Sequence, residues 1–187
     1  LHGYRHACTD DIVKEAAISK GLLFHYFGSK LGVYAFVYDY SVRYLLLELS
    51  TAVDAKETDL FALLQQVETG KMHAMCGYPY LQPFLNRAQT ENVSEALLAV
   101  EERKQQLEDY LESVFARADL GKYASAEDAV KLRKMLELTI KGLMNERILE
   151  DAFQPEMLYE EITEYLNLSR RLAERSTQPS DEAFSEK

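Results

Sequence analysis

Between Thr9 and Lys30 the chain reads TDDIVKEAAISKGLLFHYFGSK, and no other stretch restricts the possible folds as tightly. Ile12, Val13 and Ala16 put apolar groups on one face of a first helix and leave Asp10, Asp11, Lys14 and Glu15 for solvent. Ser19 is placed to cap a second helix, because its hydroxyl can accept from the free N–H groups of the following turn. Leu23 and Phe27, four apart, then give that helix one buried stripe. Two short helices, a tight turn and the start of a third are spelled out locally. The other face of the second helix carries Lys20, Gly21, Leu22, Phe24, His25 and Tyr26. A cation, a glycine that permits close backbone approach, and aromatic and imidazole groups near a helix N-terminus suit phosphates and groove edges. Aromatic groups on an otherwise polar face are costly to expose without a partner.

The run IxxEAxISKGLLFHYFGSK resembles the helix-turn-helix of TetR-family transcriptional regulators. The resemblance implies binding to a double-stranded DNA operator, with Thr9, Ser19, Lys20, Gly21, Leu22, Phe24, His25, Tyr26 and Lys30 as the contacting residues and Thr9 and Lys30 on phosphate. It also implies an all-helical remainder that binds a small hydrophobic effector and forms a homodimer, the whole acting as a cytoplasmic repressor released from its operator by that ligand. Three features depart from the family pattern. Leu1-His2-Gly3-Tyr4 resembles the close of the family's first helix, so a preceding segment is expected. Ala17 stands where the family often has glycine in the turn, at a cost of about 1 kcal/mol for a left-handed residue with a Cβ. Ala7 and Cys8 occupy places where hydroxyl residues are frequent, which shifts the expected cap and phosphate contact to Thr9.

The rest of the chain reads as helix. Eight glycines and four prolines interrupt it, and the stretches between them follow a helical period, so the expected class is all-α. With 187 residues, 47% of them hydrophobic, it can build a core of ordinary size, and no run reaches the roughly 18 apolar residues of a membrane span. Cys8 and Cys76 fall in segments assigned to different domains and are expected as free thiols. The net charge of −10 sits poorly with phosphate binding until it is divided. Arg5, Lys14, Lys20 and Lys30 against Asp10, Asp11 and Glu15 make residues 1–30 net +1, so the acidity, −11, lies in the remainder.

The domains expected are a DNA-binding head at 1–45, incomplete at its N-terminus, an effector-binding and dimerisation body at 46–175, and a flexible acidic tail at 176–187. Ser29 caps a long helix over 30–52 that joins head to body. Further helices are expected at about 59–75, around 80–85, at 93–117, at 126–150 and at 155–174. Ser125 with Asp128 is capping-box-like, and Pro155 suits a first helical turn. Gly142 lies mid-helix, where close approach of another helix would explain it.

Tyr38, Tyr44, Met72, His73, Met75, Cys76, Tyr78, Tyr80 and Phe84 cluster around the Gly77-Pro79-Pro83 interruption and are the expected pocket lining. Met135, Leu138, Thr139, Gly142 and Leu143, with Leu158, Ile162, Tyr165, Leu166 and Ser169, are the expected dimer seam. His73 and Cys76, three apart, offer two metal ligands without a third, so no metal and no cofactor is expected. Neither a phosphate-cradling glycine loop nor a nucleophile elbow is present, and catalysis is not expected. The alternatives are a helical sensor or interaction dimer with an inactive DNA head, and a small enzyme using His73 and Cys76.

Overall fold

A computed structural model describes residues 3–123, 125–148 and 153–176, and every element in them is helical. The order is α1 (Gly3–His6), α2 (Thr9–Glu15), α3 (Lys20–Phe27), α4 (Lys30–Ala52), α5 (Leu60–Gly77), α6 (Leu81–Ala88), α7 (Ser94–Phe115), a short 3-10 turn (Leu120–Lys122), α8 (Ala126–Arg147) and α9 (Pro155–Ser176). Most boundaries follow local capping chemistry. Ser29 accepts from the Gly32 amide, Asp59 from Ala62, and Ser125 from Asp128 while donating back to the Asp128 carboxylate. The expected tail lies outside the described residues beyond Ser176.

Helix α5 is the hub because both of its faces are apolar. Leu63, Val67 and Ala74 join a first core with Tyr38, Leu45 and Leu49 of α4, Leu85 of α6 and Val100 and Val114 of α7. Leu60, Phe61, Leu64 and Met75 join a second core with α8 and α9. Gly70 lets α4 lie directly against α5, since a Cβ there would stand 3.0 Å from the Leu49 Cα. The outer edges are tied by Arg103 to Asp39 between α7 and α4, and by Arg147 to Glu161 at 2.8 Å between α8 and α9. Asp59, besides capping α5, meets Arg170 of α9 at 2.9 Å.

Two expectations about α8 and α9 change. Gly142 is exposed and a Cβ there would meet nothing within 4 Å, so no helix of the same subunit presses on it. Of the ten seam residues, Leu143, Leu158, Ile162 and Leu166 are buried in the subunit's own second core, where they close α8 and α9 over α5. The apolar stripe of α9 is therefore used within the subunit. What remains outside is Met135, Leu138 and Gly142 on α8 and Tyr165 on α9, with Thr139 and Ser169 half-buried beside them. Leu168 and Leu172 extend the exposed row along α9. Both rows, 135-138-142 and 165-168-172, keep the i, i+3, i+7 spacing of a single helix face.

Candidate nucleic-acid interface

The recognition face is built by two turns and one buried leucine. Ala17 adopts φ +53°, the left-handed conformation that reverses the chain between α2 and α3. Gly28, at φ +70°, makes the second reversal into α4. Ser19 caps α3 by accepting from the Leu22 amide at 3.1 Å. Leu23 is buried, and half-buried Phe27 packs its ring 5.1 Å from that of Phe36 on α4. Anchoring the 23–27 stripe in this way turns the opposite face outward: Lys20, Gly21, Leu22, His25 and Tyr26 are exposed, Tyr26 to 73%, and Phe24 is half-buried. Gly21 leaves the backbone at the start of α3 open to a close approach.

The N-terminus of α2 differs from expectation. Cys8, not Thr9, is the N-cap residue, and its side chain makes no capping bond. Thr9 is the first residue inside the helix and is half-buried, because the extended backbone ends one residue earlier.

Both lysines of the expected contact set already have partners. Lys20 Nζ lies 2.7 Å from Asp10 on α2, and the hydrogen bond and charge of that carboxylate hold the ammonium above its ordinary pKa. Lys30 Nζ donates to the Arg5 carbonyl at 3.2 Å and stands 4.8 Å over the Tyr4 ring. Two of the four cations of the head, Lys20 and Lys30, are thus engaged within the protein.

Residues 1–35, the head and the first turns of α4, match the family model for bacterial regulatory proteins of the tetR family. The N-terminal head is therefore similar to the DNA-binding domain of TetR-family transcriptional regulators. DNA binding by a helix-turn-helix follows from this assignment, and the all-helical architecture agrees with it. Comparison with curated proteins and with solved structures gave no match. No helix among the described residues is long and apolar enough to cross a membrane.

Sequence reasoning missed how the head is fastened to the body. Tyr4 donates its backbone N–H to Glu91 at 2.9 Å and its hydroxyl to Glu95 at 2.6 Å, beyond the C-terminal end of α6 and on the first turn of α7. Its ring lies 5.2 Å from that of Tyr34. Tyr34 is itself buried with no partner for its hydroxyl, and burial pushes its pKa up to about 12. Phe84, Arg87 and Ala88 of α6 complete a cleft of about 290 Å³ beneath the head, into which Gly3, Ala7, Ile12 and Val33 also face. A charged pair so far from the motif carries no local signal.

The expected pocket residues divide between a surface groove, the second core and the outer side of α5. Tyr78, Tyr80 and Phe84 border a surface groove of about 440 Å³ with Val37 and Tyr40, and Tyr44 packs its ring on Tyr78 at 5.1 Å. Met75 is buried in the second core. Met72, His73 and Cys76 fall on the outer side of α5, where Cys76 Sγ donates to Glu156 at 3.3 Å and His73 lies 4.0 Å from Glu48. Burial and the Glu156 carboxylate push the Cys76 thiol up, the opposite of an activated nucleophile. Among the described residues no cluster of three or more His, Cys, Asp or Glu could hold a metal.

Of the expected set only Tyr38 reaches the interior cavity, about 270 Å³ and partly open to solvent, between α4, α5, α6, α7 and α8. Its floor is Leu45, Leu49, Leu85 and Met144, and its polar wall is Gln82, Asn86 and Gln89. Those three amides at i, i+4, i+7, the last just past the C-terminal end of α6, were the available signal in the sequence.

Proposed function

We propose that the protein is a homodimeric repressor that leaves its operator when a small hydrophobic ligand enters the interior cavity. The observation that carries the reading is the position of α6. One side of this helix, with Gln82, Leu85 and Asn86, lines the cavity, and the other, with Phe84, Arg87 and Ala88, seats the head around Tyr4 and Tyr34. A ligand that displaces α6 also displaces the seat of the recognition helix. The energetic demand is small, since a preference of about 1.4 kcal/mol for one head position changes occupancy tenfold.

Dimerisation is supported by the exposed apolar rows of α8 and α9, with Gly142 at the C-terminal end of the α8 row, where a second copy can approach closely. Two heads must stand about 34 Å apart to enter successive major grooves, and one head alone binds weakly. Contacts to DNA are assigned to Gly21, Leu22, Phe24, His25 and Tyr26, with Thr9, Ser19, Lys20 and Lys30 toward the phosphate backbone. The cytoplasm is the compartment in which such a regulator works.

A mobility-shift assay with DNA from upstream of the protein's own gene, together with sedimentation of the free protein, tests this reading. A dimer that protects a near-palindrome is the expected result, and a monomer, or equal binding to unrelated DNA, refutes it. The second reading, a sensor dimer with a silent head, is favoured by the Lys20–Asp10 and Lys30–Arg5 contacts, which leave few free cations on the head. The same assay separates the two.

A further inference from the structure

Inside the interior cavity an amide pair is left incomplete. Gln82 is 8% exposed, yet its Oε1 receives no hydrogen bond. Its Nε2 donates to Asn86 Oδ1 at 3.0 Å, and Asn86 Nδ2 in turn reaches the Met144 sulfur at 3.2 Å, a weak acceptor. Turning both amides over lets Asn86 Nδ2 donate to Gln82 Oε1 and frees Gln82 Nε2 instead. In either arrangement one strong polar atom of a buried side chain has no protein partner, a condition native interiors rarely hold without something to fill it.

The charges around this pair give the missing partner a sign. Lys71, Lys104, Lys134 and Lys141 line the cavity with Glu108 and Glu137, and all of these lysines but Lys141 stand beside a carboxylate. Lys71 is matched by Glu68 at 2.7 Å, Lys104 lies 3.9 Å from Glu101 and Glu108, and Lys134 lies 3.9 Å from Glu137. Lys141 instead donates to the Gln89 amide oxygen at 3.3 Å, on the same amide stripe as Gln82 and Asn86. Opposite the stripe, Leu45, Leu49 and Leu107 present hydrocarbon.

We propose that the cavity takes an amphiphilic carboxylate of medium chain length. Its chain lies on the leucine wall, and its head faces the Gln82 amide and the Lys141 ammonium. The inference rests on the reading of this cavity as the effector site and adds the chemical class. A volume of about 270 Å³ falls just under the roughly 300 Å³ at which ligand sites begin, so a long-chain acid exceeds it. A neutral alcohol satisfies the amide but leaves the lysine unused, and a quaternary ammonium of the same length meets the wrong sign.

Decanoate, decanol and decyltrimethylammonium, titrated into the full chain below their micellar concentrations, test the class by calorimetry and thermal melting. Decanoate is expected to saturate a single site per chain, to bind about tenfold more tightly than decanol, as one charge-assisted hydrogen bond allows, and to raise the melting temperature. Lys141→Met and Gln82→Leu should each weaken decanoate about tenfold. Lys141 is partly exposed, so its variant is expected to fold even if the Gln82 variant does not. Equal affinity for decanoate and decanol, or undiminished decanoate binding by Lys141→Met, overturns the acid class and leaves the effector site standing. Failure of all three probes to bind also overturns the class. The effector role is judged separately by Asn86→Phe, which fills the cavity without ligand; unchanged operator affinity in that variant removes the effector site itself.

Discussion

Replacing Asp10 by asparagine changes the charge the head presents to DNA and does little else. Asp10 is exposed, and its carboxylate lies 2.7 Å from the ammonium of Lys20 at the start of the recognition helix. Before any duplex arrives Lys20 is already neutralised, so binding exchanges one ion pair for another and displaces about one counterion fewer. Asparagine keeps the shape and an acceptor oxygen but removes the charge. Each phosphate neutralised contributes a slope of about −0.9 in the logarithm of affinity against the logarithm of salt. The variant should therefore show a slope steeper by about 0.9 per head, which between 200 and 50 mM salt amounts to a further gain of about three- to fourfold. The gain should appear on unrelated duplexes as well as on the operator, because phosphate contacts carry no sequence information. Fluorescence anisotropy with a labelled non-operator duplex over that salt range measures it. Asp11→Asn is the control: it makes the same change in net charge from a neighbouring exposed position. If the two variants have the same slope, the Lys20 pairing is irrelevant to DNA binding and only net charge matters.

Gly70→Ala should destabilise the fold by about 1 to 3 kcal/mol in denaturant melts, since its Cβ would press at 3.0 Å on Leu49 backbone that cannot retreat; a neutral result would mean that α4 and α5 are not in close contact. Burial holds the Tyr34 and Tyr38 hydroxyls at about 12, above the unfolded value of 10, so the folded state keeps protons that the unfolded chain releases. Stability is then fully present below pH 10 and falls between pH 10 and 12 by at most about 1.4 kcal/mol per pH unit per group, and Tyr34→Phe should make that decline shallower in alkaline melts. Because the Tyr34 hydroxyl has no partner, the same variant should be no less stable than the parent at pH 7, and a loss beyond about 1 kcal/mol there would show that the hydroxyl is bonded. Gly142→Gln should raise the helix stability of α8, by up to about 1 kcal/mol, yet weaken dimerisation measured by sedimentation; undiminished dimerisation would move the seam elsewhere.

Much of the head was legible because its determinants are local. Ser19 and Ser29 cap the helices that follow them through amides three residues on, a relation within reach of a short window of sequence. The reversal at Ala17 could be anticipated in the same way, and so could the recognition face, because a stripe of Leu23 and Phe27 leaves only one side outward. Thr9 was misassigned by one residue because neither Ala7 nor Cys8 offers a capping group to mark the boundary.

The body was legible as helices but not as surfaces. Periodicity says which residues share a face and is silent on what that face meets. Met72, His73 and Cys76 lie outward, and Leu158, Ile162 and Leu166 inward, because α9 packs on one side of α5 and α4 on the other, contacts between residues far apart in the chain. The Tyr4–Glu91 and Tyr4–Glu95 bonds, and the amide stripe turned into the cavity, arise in the same way. Capping, turn chemistry and hydrophobic period act within about two helical turns, so the chain alone determined its helices and its recognition face. Which faces became core, cavity or open seam depended on how long rods with more than one apolar side were stacked, and that was decided by tertiary packing.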